Sequence, residues 1–246
     1  MRGRTVSLSP SSIVRNDYLY FANKAPLLPV QRRMALGPLI AARAASPHRP
    51  PFTALFVKGF ALLAQQIPEL RRVYIGFPWP HLYEYPASIA TIAFERDTAD
   101  GVGVFGGKIK DPANLPLSEI ADALRNFKEM PLEKIKDFRR ILFFARLPGP
   151  LRRLLIRIAL NVGRQRANFF GTFVVSVYSA LGADSLRPLF PATVVLNYGV
   201  IEPDGNVNVR FVYDHRVMDG ATVARALQAF EKILTGPLVE EVRAWR

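Results

Sequence analysis

The chain has 246 residues, half of them hydrophobic, which is enough for one domain with a sizeable core. It has no cysteine, which excludes disulfides, thiolate metal sites and a cysteine nucleophile, and its three histidines argue against a histidine-rich metal centre. The formal net charge of +13 points to anionic partners (phosphate-bearing cofactors, nucleic acid, an anionic membrane) or to a merely basic surface.

Met1 to Arg4 is basic, but no apolar signal core follows it. The most apolar stretch, 141–162, is interrupted by Arg146, Arg152, Arg153, Arg157, Pro148 and Pro150, so it does not read as a membrane span. No internal repeat is visible. The expectation is a single domain over 1–246, located in the cytoplasm, with residues 1–7 as a loose arm.

In chain order, residues 1–12 read as an arm or first strand, and Tyr18 to Ala22 is aromatic and apolar. Leu36 to Ala45 reads as helix, and the proline-rich run 46–51 as loop. Thr53 to Ile67 is apolar on nearly every face and predicts a buried helix ending at Pro68. Ile75 to Tyr85 reads as strand and loop. Ala87 to Phe94 and Gly103 to Lys110 read as strands about a turn at Asp100-Gly101. An amphipathic helix runs from Leu117 to Phe127, with Ile120, Leu124 and Phe127 at helical spacing. A basic amphipathic helix is expected over 151–166. Phe173 to Val177, Thr193 to Val200 and Val207 to Tyr213 are β-rich, and Gly220 to Leu234 closes the chain as helix. The interleaving is not that of regular βαβ units, and no glycine-rich phosphate loop occurs. This predicts an α/β fold with a mixed sheet.

The chemistry concentrates in Tyr213-Asp214-His215-Arg216-Val217-Met218-Asp219-Gly220-Ala221, where a strand gives way to a helix. A histidine at such a strand end is positioned by a rigid scaffold and can act as a general base near neutral pH. Asp219 can anchor the loop, and Gly220 permits a tight turn at the helix start. Taken alone, a histidine here is more often structural than catalytic.

The octet from Asp214 to Ala221 resembles the signature of the acyltransferase component of 2-oxo acid dehydrogenase complexes. Its His-x-x-x-Asp-Gly core is shared with chloramphenicol acetyltransferase and with peptide-synthetase condensation domains. The stretch Gly171 to Gly182 is similar to the family's serine-bearing strand. Phe56 to Leu70 resembles an early buried helix, and Lys108 to Ala121 a later approach to a helix. The resemblance runs from about residue 8 to the C-terminus.

It implies a chloramphenicol acetyltransferase-like two-layer α/β fold, a mixed sheet flanked by helices, assembled as a homotrimer with active sites between subunits. His215 matches the base that takes a proton from a hydroxyl, thiol or amine acceptor. Ser176, with Ser179 as fallback, matches the donor to the oxyanion; the alternative is an ordinary strand serine. Asp219 matches an aspartate that pairs with an arginine, for which Arg15 is the candidate and Arg43 a rival. Direct transfer from a thioester follows, since no Gly-x-Ser-x-Gly elbow occurs. The implied co-substrate is acyl-CoA, or else a lipoyl or acyl-carrier thioester, with no metal. The acceptor is a small or lipid-like molecule, and nucleic acid is not expected.

No lipoyl or subunit-binding domain is recognised, which points to a free-standing enzyme, and Val177 and Tyr178 replace the family's usual Asn-Leu. Three readings apply to the arginine-rich helix: it packs on the core with a solvated basic face, binds CoA phosphates, or rests on an anionic membrane. Phe77, Trp79, Tyr83 and Tyr85 either line an acceptor pocket or pack on the core. A non-catalytic scaffold of the same fold is the alternative to an enzyme.

Overall fold

The computed structural model describes residues 3–5, 7–98 and 101–245. Residues 1, 2 and 6 of the expected arm and Asp100 of the expected turn lie outside them. The chain runs α1 (Pro10–Ala22), β1 (Leu27–Ala35), α2 (Gly37–Ala45), α3 (Phe52–Gln66), β2 (Arg72–Ile75), β3 (His81–Glu84), β4 (Ile89–Thr98) and β5 (Gly101–Lys110). It continues through α4 (Leu117–Glu129), α5 (Lys136–Ala145), α6 (Gly149–Asn161), α7 (Gly163–Phe170), β6 (Phe173–Val175), β7 (Val194–Tyr198), β8 (Asn206–Asp214), α8 (Gly220–Thr235) and α9 (Pro237–Ala244).

Six strands form one sheet in the order β1-β8-β7-β6-β4-β5, and β2 and β3 form a separate hairpin. β6 is parallel to both β4 and β7, and the remaining pairs are antiparallel, so the sheet is mixed as the interleaving predicts.

Strand alternation sorts the β6–β8 side chains onto two faces. Phe173, Val175, Val194, Leu196, Val209 and Phe211 face the main core, where α3 packs against α8 and Phe60 lies between the rings of Phe173, Phe211 and Phe230. Gly59 permits that approach, because a Cβ there would stand 2.8 Å from the Leu234 side chain. The only charged residue buried in α3, Lys58, donates to the carbonyls of Ala113 and Leu115 at 2.8 and 2.6 Å. Val174, Val195 and Val212 face the other way, against a smaller cluster containing Ala22 and Leu27. α1 and α5 pack on each other over this second face, beside β5.

Three expectations change. Residues 10–12 belong to neither arm nor strand, because Pro10 opens α1, which Ser9 caps by accepting from the Ser12 amide at 3.3 Å. A strand, β1, occupies Leu27–Ala35, which had no assignment. The arginine-rich segment is two helices, broken at Val162, whose extended backbone (φ −100°, ψ 94°) interrupts the helical run.

Candidate active site

β8 ends at Asp214, whose carboxylate is buried and gripped by Arg216 through Nε at 2.9 Å and Nη2 at 2.6 Å. The Arg216 amide donates to the same carboxylate, and the Val217 amide to the Asp214 carbonyl. The Arg216 guanidinium also lies 4.4 Å over the Tyr74 ring. Asp214 and Arg216 thus fold the strand end into a compact turn and leave His215, between them, exposed at its tip. This pairing is what the Asp-His-Arg triplet does, and sequence reasoning overlooked it.

His215 Nδ1 lies 3.1 Å from the Met218 carbonyl oxygen. A carbonyl only accepts, so Nδ1 carries the proton, and Nε2 is left with its lone pair outward.

Asp219 caps α8, accepting from the Thr222 amide at 2.7 Å. That hydrogen bond holds its carboxyl below the usual carboxylate range, helped by the Thr222 side chain and by Arg225 and His215. The cap therefore stabilises the fold above the ordinary carboxylate pKa and loses its effect as pH falls through the depressed value. Asp219→Ala should lower the melting temperature more at pH 7 than in acid, where the charge is lost but the neutral carboxyl still caps, and Asp219→Asn, which caps without charge, should restore part of the loss at pH 7. Thermal melts from pH 7 down to pH 2–3 decide it.

The expected partner of Asp219 is elsewhere. Arg15 donates to Ser12 Oγ at 3.2 Å on the exposed side of α1. Arg43 donates to the Pro50 carbonyl at 2.7 Å and stacks on Phe52. Neither pairs with Asp219 within the chain. Gly220 takes no left-handed backbone either; a Cβ there would stand 3.4 Å from Tyr213 Oη, an ordinary contact.

Ser176 follows the last residue of β6. Its position depends on Gly171, which turns the chain out of α7 at φ +76°, where a Cβ would lie 2.8 Å from the Ile89 carbonyl oxygen, so only glycine fits. The Ser176 amide donates to the Leu196 carbonyl at 3.1 Å. Its own carbonyl accepts from Asn197 Nδ2 at 2.6 Å, and Asn197 is in turn held by Arg210. Asn197 and Arg210 are buried and carry no sequence signal that would have singled them out.

The serine side chain lines a cavity of about 290 Å³ on the second face of the sheet. Its hydroxyl has no hydrogen-bond partner among the described residues. The fallback, Ser179, lies in a short 3-10 turn and does not line that cavity.

His215 and Ser176 do not meet within the chain. Ser176 bonds to β7 at Leu196, which pairs with Phe211 on β8, and His215 is four residues beyond. At ~3.3 Å per residue and two strand spacings of ~4.8 Å, the separation is on the order of 15 Å.

The basic segment is partly structural. Arg152 is buried against Asp17 of α1, and Arg153 Nε reaches the same carboxylate at 2.9 Å. Arg166, buried, donates to the carbonyls of Tyr74, Leu160 and Pro191, and burial pushes its pKa down to about 10. α6 does not bury all its apolar residues, since Leu151, Leu154 and Ile158 stay exposed beside Arg157. Of the aromatic cluster, Tyr85 is buried and donates to the Gly163 carbonyl at 2.7 Å, while Phe77 and Trp79 are exposed on the β2–β3 side. None of the four lines the Ser176 cavity.

Among the described residues no three of His, Asp and Glu converge as a metal site, and no helix is long and apolar enough to cross a membrane.

A mixed sheet with this strand order and helical cover is the chloramphenicol acetyltransferase-like acyltransferase fold, shared with dihydrolipoamide acetyltransferase catalytic cores. Residues 171–239, which carry Ser176, His215 and Asp219, match the family model of the 2-oxoacid dehydrogenases acyltransferase (catalytic domain). A probable dihydrolipoamide acetyltransferase from Listeria monocytogenes superposes with a TM-score of 0.69 at 15% identity, over 94% of each chain. The dihydrolipoamide acetyltransferase of Azotobacter vinelandii gives 0.71 at 17% identity, over 96% of this chain and 93% of that one. A chloramphenicol acetyltransferase gives 0.52 at 15%, over 90% and 94%. No curated protein sequence matches the chain.

Proposed function

We propose that the chain is an acyltransferase. It moves an acyl group from the thioester of CoA, or of a lipoyl or carrier group, directly to a hydroxyl, amine or thiol acceptor. The observation that carries this reading is the His215 ring, fixed by Met218 in the tautomer that exposes a basic Nε2 at the tip of a rigid turn.

The acceptor gives its proton to Nε2 as it attacks the thioester carbonyl. The carbonyl oxygen becomes an oxyanion, which accepts a hydrogen bond from the Ser176 hydroxyl. Collapse breaks the C–S bond, and the imidazolium returns the proton to the departing thiolate. Asp219 acts on His215 through the turn and the start of α8 rather than on substrate.

Since His215 and Ser176 are too far apart to serve one substrate from one chain, the site forms between two copies, as the resemblance to trimeric acyltransferases implies. The Azotobacter vinelandii enzyme supports the assignment: the serine, histidine and asparagine investigated for its mechanism include a histidine and an asparagine four residues apart, the spacing of His215 and Asp219.

Release of free CoA from a panel of acyl-CoAs, with pooled metabolite and lipid extracts as acceptors, tests the reading. Release that needs both the extract and His215 supports it. No His215-dependent release from any of the thioesters counts against it and favours the non-catalytic scaffold.

A second reading concerns the exposed stripe Leu151, Leu154 and Ile158 beside Arg157, together with the net charge of +13. Contact of α6 with an anionic membrane surface follows, suited to a lipid-like acceptor. The protein should cosediment with vesicles containing anionic phospholipid and not with zwitterionic ones. Leu154→Glu/Ile158→Glu should abolish the binding without changing the melting temperature much.

A further inference from the structure

The cavity beside Ser176 has a shape and lining that the transfer chemistry alone does not require. Its floor is the sheet. Thr91, Val174 and Val195 stand in one row across β4, β6 and β7, and Ala93 lies one step further along, level with Ser176. The hollow arises because Ala93 pairs with Gly106 on β5, so two adjacent positions carry almost no side chain. A Cβ on Gly106 would stand 3.0 Å from Thr91 Cγ2. The roof comes from α1, α5 and α7, with Tyr18, Ile141, Phe144 and Phe169.

Charge in the cavity is largely cancelled or kept outside. Lys108 Nζ pairs with Asp137 at 2.6 Å, both side chains mostly buried, and Asp137 also accepts from the Lys108 amide. Burial pushes the lysine pKa down while the carboxylate opposes it. Arg15 and Arg140 are substantially exposed and so stand at the rim. The volume, about 290 Å³, is near the ~300 Å³ lower end of small-molecule sites and some ten times the ~30 Å³ share of one water. That is room for an alkyl chain of roughly eight to ten carbons and far more than an acetyl group fills.

We infer that this cavity takes the hydrocarbon tail of a medium-chain acyl group whose carbonyl sits at Ser176. The inference rests on the proposed acyl transfer for its chemistry, but the binding it describes does not depend on turnover. Each methylene moved from water into such a lining is worth about fourfold in affinity. Octanoyl, with six more methylenes than acetyl, should gain at least ~100-fold after allowing for imperfect contact and chain ordering.

The test uses acetyl-, octanoyl- and palmitoyl-CoA as probes on the intact protein. Calorimetric titration of the His215→Ala protein reads affinity without turnover, and CoA release by wild type reads rate. Octanoyl-CoA should bind at least ~100-fold more tightly than acetyl-CoA, and palmitoyl-CoA should gain nothing further. Ala93→Leu, which grows into the hollow, should shrink the octanoyl-to-acetyl ratio at least tenfold. Phe144→Ala, which lengthens it, should move the optimum beyond eight carbons. Opposite shifts from two substitutions separate the inference from simple misfolding. Equal affinities for the three thioesters, or a ratio that neither substitution moves, would overturn it. If affinity follows chain length but no His215-dependent release is found, the tail site stands and the proposed activity fails.

Discussion

Alanine at His215 should reduce acyl transfer by at least ~10³-fold while leaving folding and assembly intact. General-base assistance alone is worth ~10²–10⁴ in rate, and the two carboxylates of that turn are engaged elsewhere, Asp214 by Arg216 and Asp219 by the Thr222 amide. The His215 side chain is exposed, bonding the Met218 carbonyl and lying 5.6 Å from the Tyr213 ring, so truncation opens no core cavity. Ser176→Ala should cost ~10²–10³ in kcat, as losses of single oxyanion donors do, with little change in KM. The decisive experiment combines the two. If, as proposed, the protein is a closed trimer whose sites each take a histidine from one chain and a serine from the next, co-expression of both variants at equal levels gives randomly mixed trimers. Both residues are intact in about one site in four, so roughly 25% of wild-type activity should return. No recovery, with each variant separately folded and trimeric, would mean that the two residues do not act on one substrate across an interface.

How much of this was legible in the sequence follows from how local the determinants are. α3, α4, β8 and α8 are found within two residues of expectation, because each carries its periodicity in its own side chains. β1 was not, since it is an edge strand with Pro29, Gln31, Arg32 and Arg33 largely facing solvent, and what holds it is distant in sequence: its pairing with β8 and its contacts with α8, Glu231 among them. α1 contains Ser, Asn, Asp and aromatic residues that favour helix weakly, and its partner for Asp17 lies 135 residues away. At the site, His215 and Ser176 were recognisable as side-chain types in a familiar pattern. Their separation within one chain is anticipated only through the resemblance, because no local pattern encodes it and it depends on the strand order of the sheet. The cavity was not legible, since it exists because Ala93 and Gly106 fall opposite each other on neighbouring strands.

The largest expected effect on stability comes from Asp17. Its side chain is only 2% exposed and binds two guanidiniums, Arg152 Nε and Arg153 Nε. The two contacts are unequal. Arg153 is 55% exposed, so its half of the cluster resembles a surface pair, worth ~0–1 kcal/mol. Arg152 is 10% exposed, and without Asp17 its remaining partner is the Leu147 carbonyl at 2.8 Å. Asp17→Ala therefore leaves a buried cation with one neutral acceptor, a change that costs ~3–5 kcal/mol. For a chain of this size that is a fall in melting temperature of about 6–20 °C. Arg153→Ala should cost under ~1 kcal/mol. The double variant Asp17→Ala/Arg152→Met should be more stable than Asp17→Ala alone, because the unpaired charge is gone and the methionine can fill the space. Denaturant titration of the wild type, Asp17→Ala, Arg152→Met and the double variant closes that cycle. If the double variant is no better than the single, the carboxylate does more than neutralise Arg152, and the clasp between α1 and α6 depends on its shape. Since α1 roofs the Ser176 cavity and α6 carries the exposed apolar stripe, this one ion cluster ties the cavity to the arginine-rich helix.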